Sequence, residues 1–307
     1  MSIDQCVRAG SGSRRRLLAV ALAAASVAAL SSCTIPTRAE SSEKIETITE
    51  IVVVPPEPTA TPGDPDNGVG PLAGFEALST TLDGAVGIAL VPVGGGQSLV
   101  AGEWQNGVAW STIKVPLSIA ALHESDTTPL ATVEQAIMTS DNESAEELWR
   151  GLGDPTTAAA KVESVLAASG DMSTTVESRT LRPEFSSFGQ TQWPLATQAQ
   201  FAATLPCRSD ATEVFELMGS ISPDQQWGLG AIPTARFKGG WGPDADGGYL
   251  VRQFGIISSG TGQLAVAIAA KPNSGTFADG TAMLSDIGRW VGERAQALPI
   301  GGTCQPN

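Results

Sequence analysis

Apolar positions along the chain fall into two patterns: short unbroken runs, and longer stretches spaced for one helix face. Val86 to Val93 is an unbroken run that ends on Gly94-Gly95-Gly96, and Gln97 to Ala101 would return beside it as the second strand of a hairpin. Gly74 to Leu82 predicts a short helix before them. After the hairpin, Trp110 to Leu122 reads as a helix from Pro116 onward, and helical spacing continues to about Ser169. Residues 170–194 carry few periodic apolar positions, and Pro183, Gly189 and Pro194 interrupt them, so this stretch predicts a loop. Helices are expected at Ala196 to Leu205 and Ala211 to Met218. Strands are expected at Ala235 to Gly239, Tyr249 to Ser258 and Leu264 to Lys271. Asp279 to Ala297 closes the chain as a helix with Met283, Ile287, Trp290 and Val291 on one stripe. Two strands, a run of helices, three strands and a last helix predict one α/β (α+β) domain over residues 71–307. Its sheet would be antiparallel and five-stranded, with the two terminal segments packed together. No internal repeat interrupts this order.

The first 70 residues follow neither pattern. Arg14-Arg15-Arg16 precedes an alanine-rich apolar run from Leu17 to Leu30, too short for a comfortable membrane span. Leu30-Ser31-Ser32-Cys33 follows and resembles the bacterial lipobox, which implies that residues 1–32 are a lipoprotein signal peptide. Cys33 would then become the lipidated first residue of the mature chain, a membrane anchor at the extracytoplasmic face of the cell membrane. Residues 33–70 are rich in Pro, Thr and Glu and predict a disordered tether, with Ile51-Val52-Val53-Val54 as a short β-prone island.

Charge and composition narrow the function. Hydrophobic residues make up 42% of the chain, enough for a sizeable core, and the formal charge is −14. Without residues 1–32 the balance is 14 basic against 31 acidic residues. A nucleic-acid partner is not expected, because phosphate binding needs clustered positive charge. His123 is the single histidine, so a zinc site with several imidazoles is excluded, and no metal or cofactor is expected. A Ser-His-Asp triad would have to use His123, which reads as a helix-surface residue, and no Gly-x-Ser-x-Gly elbow is present. Of the four cysteines, Cys6 would leave with the signal and Cys33 would carry lipid. Cys207 and Cys304 form an even pair in an oxidising compartment and are expected to be bridged, the alternative being two free thiols. A monomer is expected.

Ser111-Thr112-Ile113-Lys114 carries the first candidate chemistry. Residues three apart share a helix face, so the lysine amine can lie beside the serine hydroxyl. A serine needs a neighbouring base to be a nucleophile, and a lysine whose pKa is lowered by burial or nearby positive charge can be that base. A helix start supplies N–H donors where an oxyanion would form. Taken alone the spacing is weak: Ser41-Ser42-Glu43-Lys44 repeats it inside the tether, and Ser111 could be an ordinary N-cap serine. Two further stretches strengthen it, Ser140-Asp141-Asn142 and Lys238-Gly239-Gly240-Trp241.

Ser-x-x-Lys, then Ser-Asp-Asn, then Lys-x-Gly, in that order, resembles the class A β-lactamase and penicillin-binding protein superfamily. The resemblance extends over residues 72–300. It implies a β-lactamase-like fold with a helical subdomain beside the sheet, and it assigns roles motif by motif. Ser111 would attack a carbonyl carbon, Lys114 would take its proton, and Ser140 would relay a proton to the leaving nitrogen. Lys238 would lower the pKa of Lys114 and attract a substrate carboxylate. Asn142 would bind a substrate amide, and the N–H groups of Ser111 and Trp241 would form the oxyanion hole. Asp141 would hold its loop by accepting hydrogen bonds. Gly239, Gly240 and Trp241 would line the substrate.

The sequence departs from the family at three places. The segment from His123 to Pro129 is cut to a turn, so one wall of the usual cleft should be missing. In Leu181-Arg182-Pro183-Glu184-Phe185-Ser186, Arg182 stands where class A enzymes place the glutamate that activates the deacylating water; Glu184 is the nearest carboxylate, either a substitute or a plain surface charge. Gly239 replaces a hydroxyl residue that helps bind the substrate carboxylate, a loss of about 1.5–3 kcal/mol. The Trp241 ring would fill the space left by Gly239 or line the site. The expected function is a membrane-anchored serine hydrolase, β-lactamase-like or D,D-peptidase-like, acting through a Ser111 acyl-enzyme on cell-wall D-alanyl peptides, β-lactams or related amides, with deacylation in question. The alternative is a catalytically impaired envelope lipoprotein that keeps the fold for binding or scaffolding.

Overall fold

A computed structural model describes residues 70–259, 262–295 and 301–304. The leader, Cys6, Cys33 and the tether up to residue 69 lie outside the described residues. In chain order the elements are α1 (Phe75–Ser79), β1 (Gly84–Pro92), β2 (Leu99–Ala101), α2 (Lys114–Glu124), α3 (Leu130–Met138), α4 (Asn142–Gly151), α5 (Pro155–Ala168), α6 (Leu195–Thr204), α7 (Thr212–Leu217), β3 (Arg236–Pro243), β4 (Tyr249–Ser259), β5 (Gly262–Pro272) and α8 (Phe277–Arg294). The five strands form one antiparallel sheet in the order β2-β1-β5-β4-β3. That is the sheet the strand pattern predicts, and β1 pairs with β5 so that the terminal segments do pack together.

Strand parity decides what each face of the sheet covers. On β4, Val251 lies against Gly280 of α8, whereas Arg252 and Phe254 face the opposite way. There Phe254 meets Phe201 of α6 at 5.9 Å and Trp193 at 5.6 Å, in edge-to-face geometry. Phe75 of α1 closes the other face against Trp290 of α8 at 5.5 Å. The sheet is therefore buried on both sides, which explains why β5 reads as a continuous apolar run and why β4 is buried at consecutive rather than alternating positions.

Three differences from the sequence pattern have physical causes. The stretch from Trp110 opens as a 3₁₀ turn, Trp110–Ile113, and becomes α-helical only at Lys114. Pro116 falls in the first turn of α2, where no N–H is needed. The long helical region up to Ser169 splits into α3, α4 and α5, because Asp141 and Asp154 cap new helices by accepting backbone N–H groups. Strand β3 continues past Gly239 to Pro243, in register with Tyr249 to Ile256 of β4. Glycines are poor strand formers in isolation, so the pattern ended this strand too early.

The loop reading of residues 170–194 holds, with one 3₁₀ turn at Phe188–Gln190. It is an anchored loop. The Asp171 carboxylate accepts from the backbone N–H groups of Ser173 and Thr174 and from Trp193 Nε1, and Gln190 Nε2 donates to the carbonyls of Arg182, Phe185 and Ser186. Cys207 and Cys304 are disulfide-bonded, which fastens the C-terminal tail to the end of α6.

Candidate active site

The Ser111 turn is held from four directions. Trp110 adopts φ 51°, a left-handed backbone uncommon for a bulky residue, so strain sits directly before the serine. Its ring is pinned by Phe185 at 5.0 Å, by the Arg182 guanidinium at 5.6 Å and by the backbone of Gly242. From β3, Gly240 meets the turn so closely that a Cβ there would stand 2.8 Å from the Ser111 nitrogen and 2.9 Å from the Ala109 oxygen. Only glycine lets the strand backbone lie against the Ser111 amide. From behind, Arg252 donates to the carbonyls of Gly107 (2.9 Å) and Val108 (3.1 Å) through one nitrogen, and to Trp193 O and Gln198 Oε1 (both 2.8 Å) through another. Gln198 then donates to Thr112 Oγ1 at 3.0 Å.

In a 3₁₀ turn residues three apart lie one above the other, so Ser111 and Lys114 share a side. Lys114 is buried, and its Nζ donates to the backbone oxygens of Ser140 and Asp141 and, at 2.7 Å, to Asn142 Oδ1; Ser140 Oγ lies 3.5 Å away. Burial pulls its pKa down to about 7 against the opposing pull of Asp141 and Glu146. Ser140, the other non-glycine residue with left-handed backbone among the described residues (φ 59°), is held in place from below by Lys238, whose Nζ donates to Ser140 Oγ at 2.8 Å and to Gly239 O at 3.0 Å. Lys238 is fully buried, and burial first, then the charge of Lys114, pushes its pKa well below the ordinary lysine value. Asp141 acts as its motif suggests: its carboxylate accepts the Ser144 N–H at 2.7 Å and caps α4.

A cleft of about 470 Å³ opens over this cluster. Ser111, Lys114, Ser140, Asn142 and Trp241 border it, while Lys238 lies buried behind Ser140. The rest of the wall is Glu146 on α4, residues 183–186 with Phe188 and Gly189 from the anchored loop, and Gly242, Pro243 and Tyr249. None of residues 123–129 borders it. Residues 125–129 are the short turn between α2 and α3. The side chain of Ser111 makes no hydrogen bond among the described residues. The three motifs thus converge, with Lys114 and Lys238 both on Ser140, while the nucleophile candidate faces the cleft unengaged.

Two expectations change in detail. The depression of the Lys114 pKa comes from burial rather than from Lys238. The space beside Gly239 belongs to Trp227, not Trp241: a Cβ on Gly239 would stand 2.9 Å from the Trp227 ring. Gly239 and Trp241 pair with Gln253 and Val251 and so face the α8 side, where Trp241 packs on Phe277 at 5.3 Å and meets Trp227 at 5.9 Å. Arg182 donates to Pro243 O at 2.6 Å and stacks on Phe185 at 4.2 Å, so it bridges the loop to the end of β3. Glu184 borders the cleft, mostly exposed, 3.5 Å from Arg182 Nε. His123 lies at the surface as expected, 3.0 Å from Asp210. Sequence reasoning missed Glu146, Trp227, Gln198 and Arg252. Only Glu146 carried a signal, one helical turn after Asn142.

No protein-family model matches the chain, and no curated protein matches its sequence. Solved structures do match. A mutant of the ancestral class A β-lactamase of Gram-negative bacteria is 19% identical with a TM-score of 0.56, over 72% of this chain and 96% of that one. A β-lactamase from Chitinophaga pinensis gives 14% and 0.58, over 74% and 99%. One from Streptosporangium roseum gives 13% and 0.53, over 73% and 98%. At such identities the likeness establishes the fold: this chain has the β-lactamase fold, a five-stranded antiparallel sheet with flanking helices.

Proposed function

We propose that the protein is a serine hydrolase of the β-lactamase and penicillin-binding protein type, tethered to the cell membrane through Cys33. It would form an acyl-enzyme on Ser111 from cell-wall D-alanyl peptides, β-lactams or related amides. The observation that carries the reading is the joint grip of Lys114 and Lys238 on Ser140, beside a serine that faces an open cleft. The basic flank, apolar run and Leu-Ser-Ser-Cys of the leader support the anchored, extracytoplasmic setting.

The chemistry follows from the positions of these groups. With its pKa near 7, Lys114 is neutral in a large share of molecules at neutral pH. A neutral amine keeps two N–H donors for the Ser140–Asn142 loop and frees a lone pair for the Ser111 proton. Ser111 Oγ attacks the carbonyl carbon as that proton moves to Lys114. The oxyanion is held by the Ser111 N–H and by the N–H of Trp241, which follows the glycine lying against Ser111. Ser140 passes a proton to the leaving nitrogen and is resupplied by Lys114 or Lys238, both of which reach it. A fluorescent penicillin incubated with the full-length protein tests this. A covalent adduct that is absent in Ser111→Ala supports the reading. A folded protein that takes no label from any β-lactam removes β-lactams from its substrates and favours the scaffold alternative.

A further inference from the structure

We propose that Glu146 is the base that activates the water which hydrolyses the Ser111 acyl-enzyme, a step that rests on the acyl-enzyme reading above. The anchored loop supplies no free carboxylate for it. Arg182 occupies the expected position and is committed to Pro243 O, and Glu184, which borders the cleft, is 61% exposed and pairs with Arg182 Nε at 3.5 Å.

Helix α4 offers a carboxylate from another side. Asn142 and Glu146 are four residues apart and share one helix face. Asn142 binds Lys114 at 2.7 Å, so the next turn of that face lies along the same wall of the cleft, and Glu146 borders the cavity that Ser111 opens into. Glu146 is half-buried, and its carboxylate has no hydrogen-bond or ion-pair partner among the described residues. An acid aimed at a reaction cleft with no structural partner has its acceptor oxygens free for a water. Its charge also acts on Lys114, whose pKa it raises against burial.

The step balances without a co-reactant. A water in the cleft gives a proton to the Glu146 carboxylate as its oxygen bonds to the acyl carbon. The tetrahedral adduct collapses with cleavage of the bond from that carbon to Ser111 Oγ. Ser111 recovers its proton from Glu146, directly or relayed through Lys114, and the products are the free acid and the resting enzyme.

The test separates formation of the adduct from its loss. The full-length protein and its Glu146→Gln, Glu146→Asp and Glu184→Gln variants are labelled with a fluorescent penicillin, freed of excess label and followed by intact mass. Glu146→Gln is expected to label at a rate within about threefold of the parent and to release the adduct at least about tenfold more slowly. Glu146→Asp should fall between the two, and Glu184→Gln should match the parent. Hydroxylamine, which needs no base, should strip the adduct from parent and Glu146→Gln alike. Equal release by Glu146→Gln and parent, an adduct the parent never releases, or slowed release in Glu184→Gln instead would overturn the assignment. No adduct on the parent overturns the acyl-enzyme reading itself, for this probe, and the Glu146 step with it.

Discussion

Lys238 donates to the Ser140 hydroxyl at 2.8 Å, across 98 residues of sequence. The same serine gives its backbone oxygen to Lys114, on a third segment of the chain. Ser140 sits at φ 59°, a conformation that its surroundings have to impose. Two buried lysines converging on one strained serine, with no carboxylate ion-paired to either among the described residues, are costly for stability. Such groups persist where a low lysine pKa is useful.

The first consequence concerns pH. Lys114 serves as a base only after losing its proton, so acylation of Ser111 should rise with pH through an apparent pKa of about 7. Stability should move the same way. The unfolded lysine binds its proton up to pH 10.5 and the folded one only to about 7, so between those values the unfolded state holds more protons and stability rises with pH. Urea unfolding at pH 6.5 and 9 checks this, and Lys114→Met should flatten the dependence.

A second consequence concerns the substrate. The hydroxyl that would grip a carboxylate is missing at Gly239, Trp227 covers the site of its Cβ, and burial disfavours the charge on Lys238. Masking the carboxylate of an acyl donor as its methyl ester should therefore change the acylation rate by less than about tenfold, the equivalent of ~1.4 kcal/mol, half or less of what a full set of charged hydrogen bonds would give. Second-order acylation rates for an acid and ester pair measure it.

Arg252 is the third. It is fully buried, no carboxylate pairs with it among the described residues, and its bonds hold the segment entering the Ser111 turn. Arg252→Met would take the donor from several buried oxygens, including the carbonyls of Val108 and Trp193. We expect a loss of at least about 3 kcal/mol in urea unfolding. Acylation should fall in the molecules that still fold, because Gln198 loses its partner and the hold on Thr112 weakens.

The Cys207–Cys304 bond closes a loop of 97 residues. Chain-entropy arguments put such a crosslink near ~4.7 kcal/mol. Alkylation should modify both thiols only after reduction, and the reduced protein should unfold at a markedly lower urea concentration.

Much of this was legible in the sequence. Apolar runs gave all five strands, and the order of three short motifs gave the residues that meet at Ser140. What escaped depends on contacts that have no local signature. The continuation of β3 through Gly239-Gly240-Trp241-Gly242 is set by pairing with β4 and by the need for β3 to touch the Ser111 turn, not by strand propensity. Trp227 lies in a connector with no periodicity, and only the fold brings its ring over Gly239. Arg252 sits in an apolar strand, where its burial against carbonyls from three other segments could not be inferred. Glu146 was within reach, because it lies one turn beyond a motif residue on the same helix face.

The proposed chemistry turns on Ser111 as the nucleophile. Its most direct test is to expose the full-length protein to an activated acyl donor, a penicillin and separately a D-alanyl thioester, then locate any adduct by peptide mapping. One acyl group is expected on the peptide containing Ser111, formed faster at pH 8 than at pH 6 and absent from Ser111→Ala. An adduct that survives in Ser111→Ala, or a folded protein that neither donor acylates, would contradict it.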